Sequence, residues 1–273
     1  MRLGIFAKTF PGSDPAAVLA QVRAAGFASA QYNMACSGLA AMPDAITDEQ
    51  AVAVREAARA SSVALCAVSG TYNMAHPDPA VREAGLRRLD VLAGAAGAMG
   101  TILITLCTGT CDPDDQWRHH PDNAKPETWA VMRAEMEKAA HIAERYGVRL
   151  GIEPELANVV DSAASARRLI DEVGSPTLAI VLDAANLFET ATLEDQRRIV
   201  AESIDLLADR IVMAHAKDRL ADGSFVTAGK GVLDYPHYIA CLRAAGFSGD
   251  LVTHGLSAAE AAGVARFLSD LVA

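Results

Sequence analysis

The sequence has no cluster of lysine or arginine, no cysteine pair at metal or redox spacing, and no apolar run long enough to cross a bilayer. Each absence removes a class of function. Lys and Arg number 24 against 34 Asp and Glu, for a formal net charge of −10. Phosphate backbones are held by basic residues, so no nucleic-acid partner is expected. The five cysteines are an odd number, and Cys107 and Cys111 are spaced more widely than a CxxC pair. This fits reduced thiols and a cytoplasmic location. Val91 to Cys107 is weakly polar but carries Gly94, Gly97 and Gly100 and falls short of the roughly 18 residues of a spanning helix. The opening MRLGIFAKTFPG is too short in apolar residues for a signal peptide and is interrupted by Lys8, so neither export nor a membrane partner is expected.

What is present describes a globular chain, with 51% apolar and 21% charged residues. No linker or low-complexity tract divides it, so residues 1–273 are expected to form a single domain. The informative stretch is Val148 to Glu155, VRLGIEPE, an apolar run that ends on carboxylates. Such a run reads as a buried parallel strand delivering Glu153 to a shared surface. LAIVLD ends likewise on Asp183, IVMAH on His215 and LVTH on His254.

Internal recurrence gives the architecture. RAAGF occurs at Arg23 to Phe27 and again at Arg243 to Phe247, each closing a helical pattern before an apolar run. Gly147 and Gly174 supply similar helix stops. Strand starts near Leu3, Ala28, Val63, Thr101, Val148, Leu178, Ile211 and Leu251 recur about every 35 residues, as βα units require. Helix starts are marked by Asp14 with Pro15 and Asp78 with Pro79, and by capping-box pairs at Thr47 with Gln50 and Ser257 with Glu260. Eight such units predict an α/β fold, a (β/α)8 TIM barrel with its active site at the C-terminal strand ends.

In that barrel Glu153, Asp183, His215 and His254 come from neighbouring strands and converge. Two carboxylates and two imidazoles suit one divalent ion, Mn, Zn, Co or Fe better than Mg. Lys217, in HAKD, alternates with His215 and is a candidate to stabilise a developing oxyanion. Candidate substrate contacts are Asn33, Tyr72, Trp117, His120, Glu155 and Asn186. Trp117 and His120 lie in the long irregular stretch Thr108 to Pro126, expected to roof the pocket. Gly229, Lys230 and Gly231 resemble half a phosphate loop, but no strand precedes them and no Ser or Thr follows.

IEPE, LDAANLF around Asp183, and HAKD with the downstream GKG and LDY together resemble the xylose-isomerase-like barrel superfamily, in particular its sugar phosphate isomerase/epimerase branch. The resemblance spans nearly the whole chain and implies metal binding by Glu153, Asp183 and His215. It implies a metal-dependent isomerase or epimerase acting on a small sugar, sugar phosphate or related polyhydroxy carbonyl compound through an enediolate, with Glu153 moving the proton. Two departures stand out. His254 occupies the place of a second metal-binding, catalytic Glu, and Asn186 that of a frequent His. His254 is therefore expected to complete the metal shell or to act as the second acid/base. A dehydratase-like lyase or hydrolase on the same barrel and a non-catalytic sugar-binding barrel are the alternatives, and assembly into a homo-oligomer is left open.

Overall fold

The computed structural model describes residues 1–273. Eight parallel strands close into a barrel: β1 (Arg2–Phe6), β2 (Ser29–Tyr32), β3 (Ala64–Ser69), β4 (Leu103–Leu106), β5 (Arg149–Ile152), β6 (Leu178–Asp183), β7 (Ile211–Ala216) and, after a small hairpin of β8 (Asp218–Arg219) and β9 (Phe225–Val226), β10 (Asp250–Thr253). β10 pairs with β1 and with β7, which completes the ring. Helices α1 (Pro15–Ala24), α2 (Asp48–Ser61), α3 (Pro79–Met99), α4 (Pro126–Tyr146), α5 (Ala163–Val173), α6 (Leu193–Leu207), α7 (Tyr235–Ala244) and α8 (Ala261–Val272) follow successive strands. No helix is long and apolar enough to cross a membrane.

The caps form where the sequence places them, with one exception. Asp14 accepts from Ala17 N, Asp78 from Ala80 N, and Thr47 and Gln50 close a reciprocal box. At α8, Ser257 does bind Glu260, but the helix begins only at Ala261. Glu260 also takes Lys230 Nζ at 2.6 Å and Thr227 Oγ1 at 2.9 Å, so it ties the β9 loop to the start of α8. β4 starts two residues later than Thr101. Gly100, at φ 97°, ends α3, and Thr101 turns its hydroxyl back to Leu103 N while Ile102 faces solvent.

Side-chain alternation along the strands decides what reaches the mouth of the barrel. Ala67, Leu103, Val181, Met213 and Val252 pack together in a small apolar cluster. Gly151 lies at the same level, where a Cβ would come within 2.7 Å of Val181 Cγ2. These side chains form an apolar layer inside the ring, while a separate cluster of 65 buried residues lies mainly between strands and helices. Because the period of a strand is two, residues 153, 183, 215 and 254 stand one layer above Gly151, Val181, Met213 and Val252, on the same inward face.

Candidate active site

At that upper layer the four side chains expected to share a cation offer ligand atoms that all lie within 4.8 Å of one another. Glu153, Asp183 and His215 are buried and His254 is partly so. Strand pairing sets much of this geometry. Asp183 is directly opposite His215 across β6 and β7, and His215 opposite Val252 across β7 and β10, which brings His254 alongside. The two imidazole rings lie 4.4 Å apart between centroids.

The hydrogen bonds around the cluster select its protonation. His215 Nε2 lies 2.8 Å from Gln31 Oε1, whose own Nε2 donates to Thr105 Oγ1. Gln31 therefore presents an acceptor, the Nε2 proton of His215 is spoken for, and Nδ1 turns its lone pair toward Glu153 Oε1, 3.1 Å away. A lone pair facing a carboxylate oxygen in a buried site calls for a proton or a cation between them. His254 Nε2 lies 3.1 Å from Asp183 Oδ2. The donors are two carboxylates and two imidazoles, a set that fits a divalent transition metal.

Two further side chains lock the cluster. Lys217 Nζ donates to Asn186 Oδ1 at 2.8 Å and lies 3.3 Å from Asp183 Oδ2, while Asn186 Nδ2 donates to Glu153 Oε1 at 2.9 Å. Burial opposes charge on Lys217, but the carboxylates of Asp183, Glu153 and Glu155 outweigh it and raise its pKa. Burial likewise pushes the Asp183 carboxyl up, and Lys217 and His254 overcome it, holding Asp183 below the usual carboxylate range. For His215 burial works downward, and Glu153 with Asp183 turns the net shift upward. His254 goes the other way. Burial and the neighbouring His215 lower its pKa, which keeps it neutral. At Glu155 burial and the Glu153 charge outweigh the lowering effect of Lys217 and raise it to about 7, and its carboxylate accepts only from Cys107 Sγ, at 4.0 Å.

Glu153, His215 and His254 line the floor of a cavity of about 770 Å³ at the C-terminal ends of the strands, and Asp183 is fully buried beside them. Asn33, Trp117, Glu155, Asn186 and Lys217 line it, as their positions in the sequence suggested, and Lys8 lines it as well. Tyr72 and His120 do not. The Tyr72 ring packs against Gly85 of α3, where a Cβ would come within 2.1 Å, and its hydroxyl donates to Glu135. It serves the helix layer, not the pocket. His120 turns back on its own loop, where Nδ1 accepts from Asp122 N and caps the turn Pro121–Ala124; its neighbour His119 reaches the cavity in its place. The 108–126 loop does roof the site. It is tied down by the buried carboxylate of Asp112, which takes Arg118 and two loop N–H groups, and by Asn123 bonded to Thr110, Cys111 and Ala157.

Several lining residues carry no mark of their own in the sequence. Gln31 is one, although a lone amide inside the buried strand SAQY is a usable signal. Arg219 and Phe225 are others. The Phe225 ring lies under Lys217 Nζ at 3.8 Å and under the Arg219 guanidinium at 3.9 Å, screening both cations from solvent.

The family model for the xylose isomerase-like TIM barrel matches residues 19–265. The chain belongs to that family. Among solved structures it is similar to the 3-keto-D-glucoside 4-epimerase of E. coli, at 16% identity and a TM-score of 0.77 over 99% of both chains. It is also similar to the D-psicose 3-epimerase of Clostridium cellulolyticum H10 with D-tagatose, at 16% identity and a TM-score of 0.76 over 100% of this chain and 99% of that one. An L-ribulose 3-epimerase gives 18% identity and a TM-score of 0.77 over 99% and 94%. No curated protein matches in sequence.

Proposed function

We propose that the protein is a metal-dependent isomerase or epimerase of a sugar or related polyhydroxy carbonyl compound. The observation that carries this reading is the meeting of Glu153, Asp183, His215 and His254 around one point on the floor of a cavity. The epimerases of similar fold support it. A divalent ion held by those four side chains would supply Lewis-acid chemistry, polarising a carbonyl so that the adjacent C–H becomes acidic.

The chain's own groups account for the rest. Glu153 moves the proton. Its Oε1 accepts from Asn186 Nδ2 and faces His215 Nδ1, which leaves Oε2 without a hydrogen bond and free to receive it. Lys217 stays cationic beside the floor and stabilises negative charge as it builds on a substrate oxygen. Its ammonium is held by Asp183 and Asn186, so little reorganisation is needed when that charge appears. His254 closes the ligand set or serves as the second acid/base in place of a carboxylate. The loop bearing Trp117 covers the cavity and limits water around the reacting carbon.

The reading is tested by incubating the Mn²⁺-loaded protein with candidate carbonyl sugars in D₂O and following products by NMR and mass spectrometry. Deuterium at the carbon beside the carbonyl, without loss of water, is the expected outcome. Loss of water instead assigns the dehydratase reading, in which neutral His254 protonates a departing hydroxyl. Binding without exchange or product, across every sugar that binds, leaves only a sugar-binding barrel.

A further inference from the structure

The cavity is large for a single sugar ring. At about 770 Å³ it falls in the upper part of the range, roughly 300–1,000 Å³, that accommodates drug-sized ligands. A ring seated on the floor, against Glu153 and Lys217, fills only the lower part. Above it stands Trp117, 47% exposed and with no hydrogen bond, ring stacking or cation–π partner for its indole, on a loop pinned from both ends by Asp112 and Asn123. A large indole held open over a polar cavity suits the apolar face of a second ring.

The charges of the cavity point to a neutral ligand. Barrels of this architecture often bind phosphate through loop N–H groups after the seventh and eighth strands of the ring. Here those donors are already taken. The buried carboxylate of Asp218, just after β7, accepts from the backbone N–H of Arg219, Gly229, Gly231 and Leu233 at 2.8–3.1 Å. A carboxylate thus sits where an incoming phosphate group would need those amides, and the GKG loop is folded around it. The nearby cations are committed as well. Lys217 is paired with Asp183 and Asn186, and Arg219 donates to the carbonyls of Ala185 and Gly223. Lys8 alone among the lining Lys and Arg side chains has no bonded partner, and one exposed ammonium contributes little by itself.

We infer that the substrate is an uncharged two-ring carbohydrate, a carbonyl sugar bearing a glycosidic substituent, whose reacting ring lies on the Glu153 floor and whose second ring lies against Trp117. This rests on the function proposed above for the same site, but its test reads binding as well as turnover. Calorimetry on the Mn²⁺-loaded protein compares ketose-ended disaccharides, such as lactulose and isomaltulose, with free ketoses and ketose phosphates. At least one disaccharide is expected to bind ten times more tightly than any monosaccharide or phosphate. Trp117→Ala is expected to weaken that binding about tenfold and monosaccharide binding far less, and Trp117→Phe to restore most of the disaccharide affinity. Equal or tighter binding of monosaccharides or phosphates, no binding by any disaccharide, or an equal effect of Trp117→Ala on both classes overturns the inference. Preferential disaccharide binding without solvent exchange refutes the proposed reaction and leaves the ligand assignment standing.

Discussion

His254 Nε2 lies 3.1 Å from Asp183 Oδ2, on the strand end where the resemblance seen in the sequence leads one to expect a second glutamate. An imidazole there removes one negative charge from the cluster and leaves a neutral donor whose pKa is lowered by burial and by His215. His254→Ala is expected to weaken metal affinity by about 10–100-fold, as deletion of groups supporting a metal does. His254→Glu is expected to restore it. Calorimetric titration of the metal-free variants with Mn²⁺ reads both, and solvent exchange at saturating metal then shows whether His254 also moves a proton.

Asn186 links Lys217 to Glu153 through both ends of its amide. Asn186→Leu removes both bonds from a buried site and is expected to cost about 1–3 kcal/mol for each group left unsatisfied. The fall in activity is expected in kcat more than in KM, because Glu153 is misaimed while the cavity stays open. A shift confined to KM would assign Asn186 to substrate contact alone.

Glu155 supplies a pH dependence of stability. Its folded pKa, near 7, exceeds the ordinary glutamate value of 4.5, so the folded state binds the proton more tightly than the unfolded state. The stability this group contributes is present below pH 4.5 and is lost as pH rises through 7. In metal-free protein Glu155→Gln is expected to gain roughly 1–3 kcal/mol at pH 8 relative to wild type, and almost nothing at pH 4. Thermal melts of the two proteins at both pH values check the sign.

The placement of Tyr72 in the helix layer is tested by a pair of substitutions. Gly85→Ala drives a methyl group into the Tyr72 ring and is expected to destabilise by about 1–3 kcal/mol. Tyr72→Phe removes only the bond to Glu135, which keeps Lys138, so kcat/KM is expected to stay within about twofold of wild type.

Periodicity is the reason so much of the fold was legible. An apolar strand followed by a helix, in several units with a glycine stop, repeats as the same βα unit, and eight units close. The cluster of Glu153, Asp183, His215 and His254 was legible for the same reason, since the four lie at or next to the ends of their strands. The loops carry no period. In Trp117 to His120 adjacent residues face opposite ways, and the Asp122 N–H to His120 Nδ1 bond within the tethered loop turns His120 back while His119 looks inward. Tyr72 was misplaced because a strand-end tyrosine can turn either to the mouth or to the helices, and the missing side chain of Gly85 opens the second path. The Ser257 and Glu260 pair bonds as expected but starts no helix, because Lys230 and Thr227 claim the same carboxylate.

The central claim is that residues 153, 183, 215 and 254 share one cation. Metal analysis of the purified protein, paired with Mn²⁺ titration of the chelator-treated wild type and of Asp183→Asn, tests it most directly. The expected result is one divalent ion per chain in wild type, a higher Tm on binding, and at least tenfold weaker binding in Asp183→Asn. Wild-type protein that takes up no ion and melts at the same temperature with and without chelator would contradict the account.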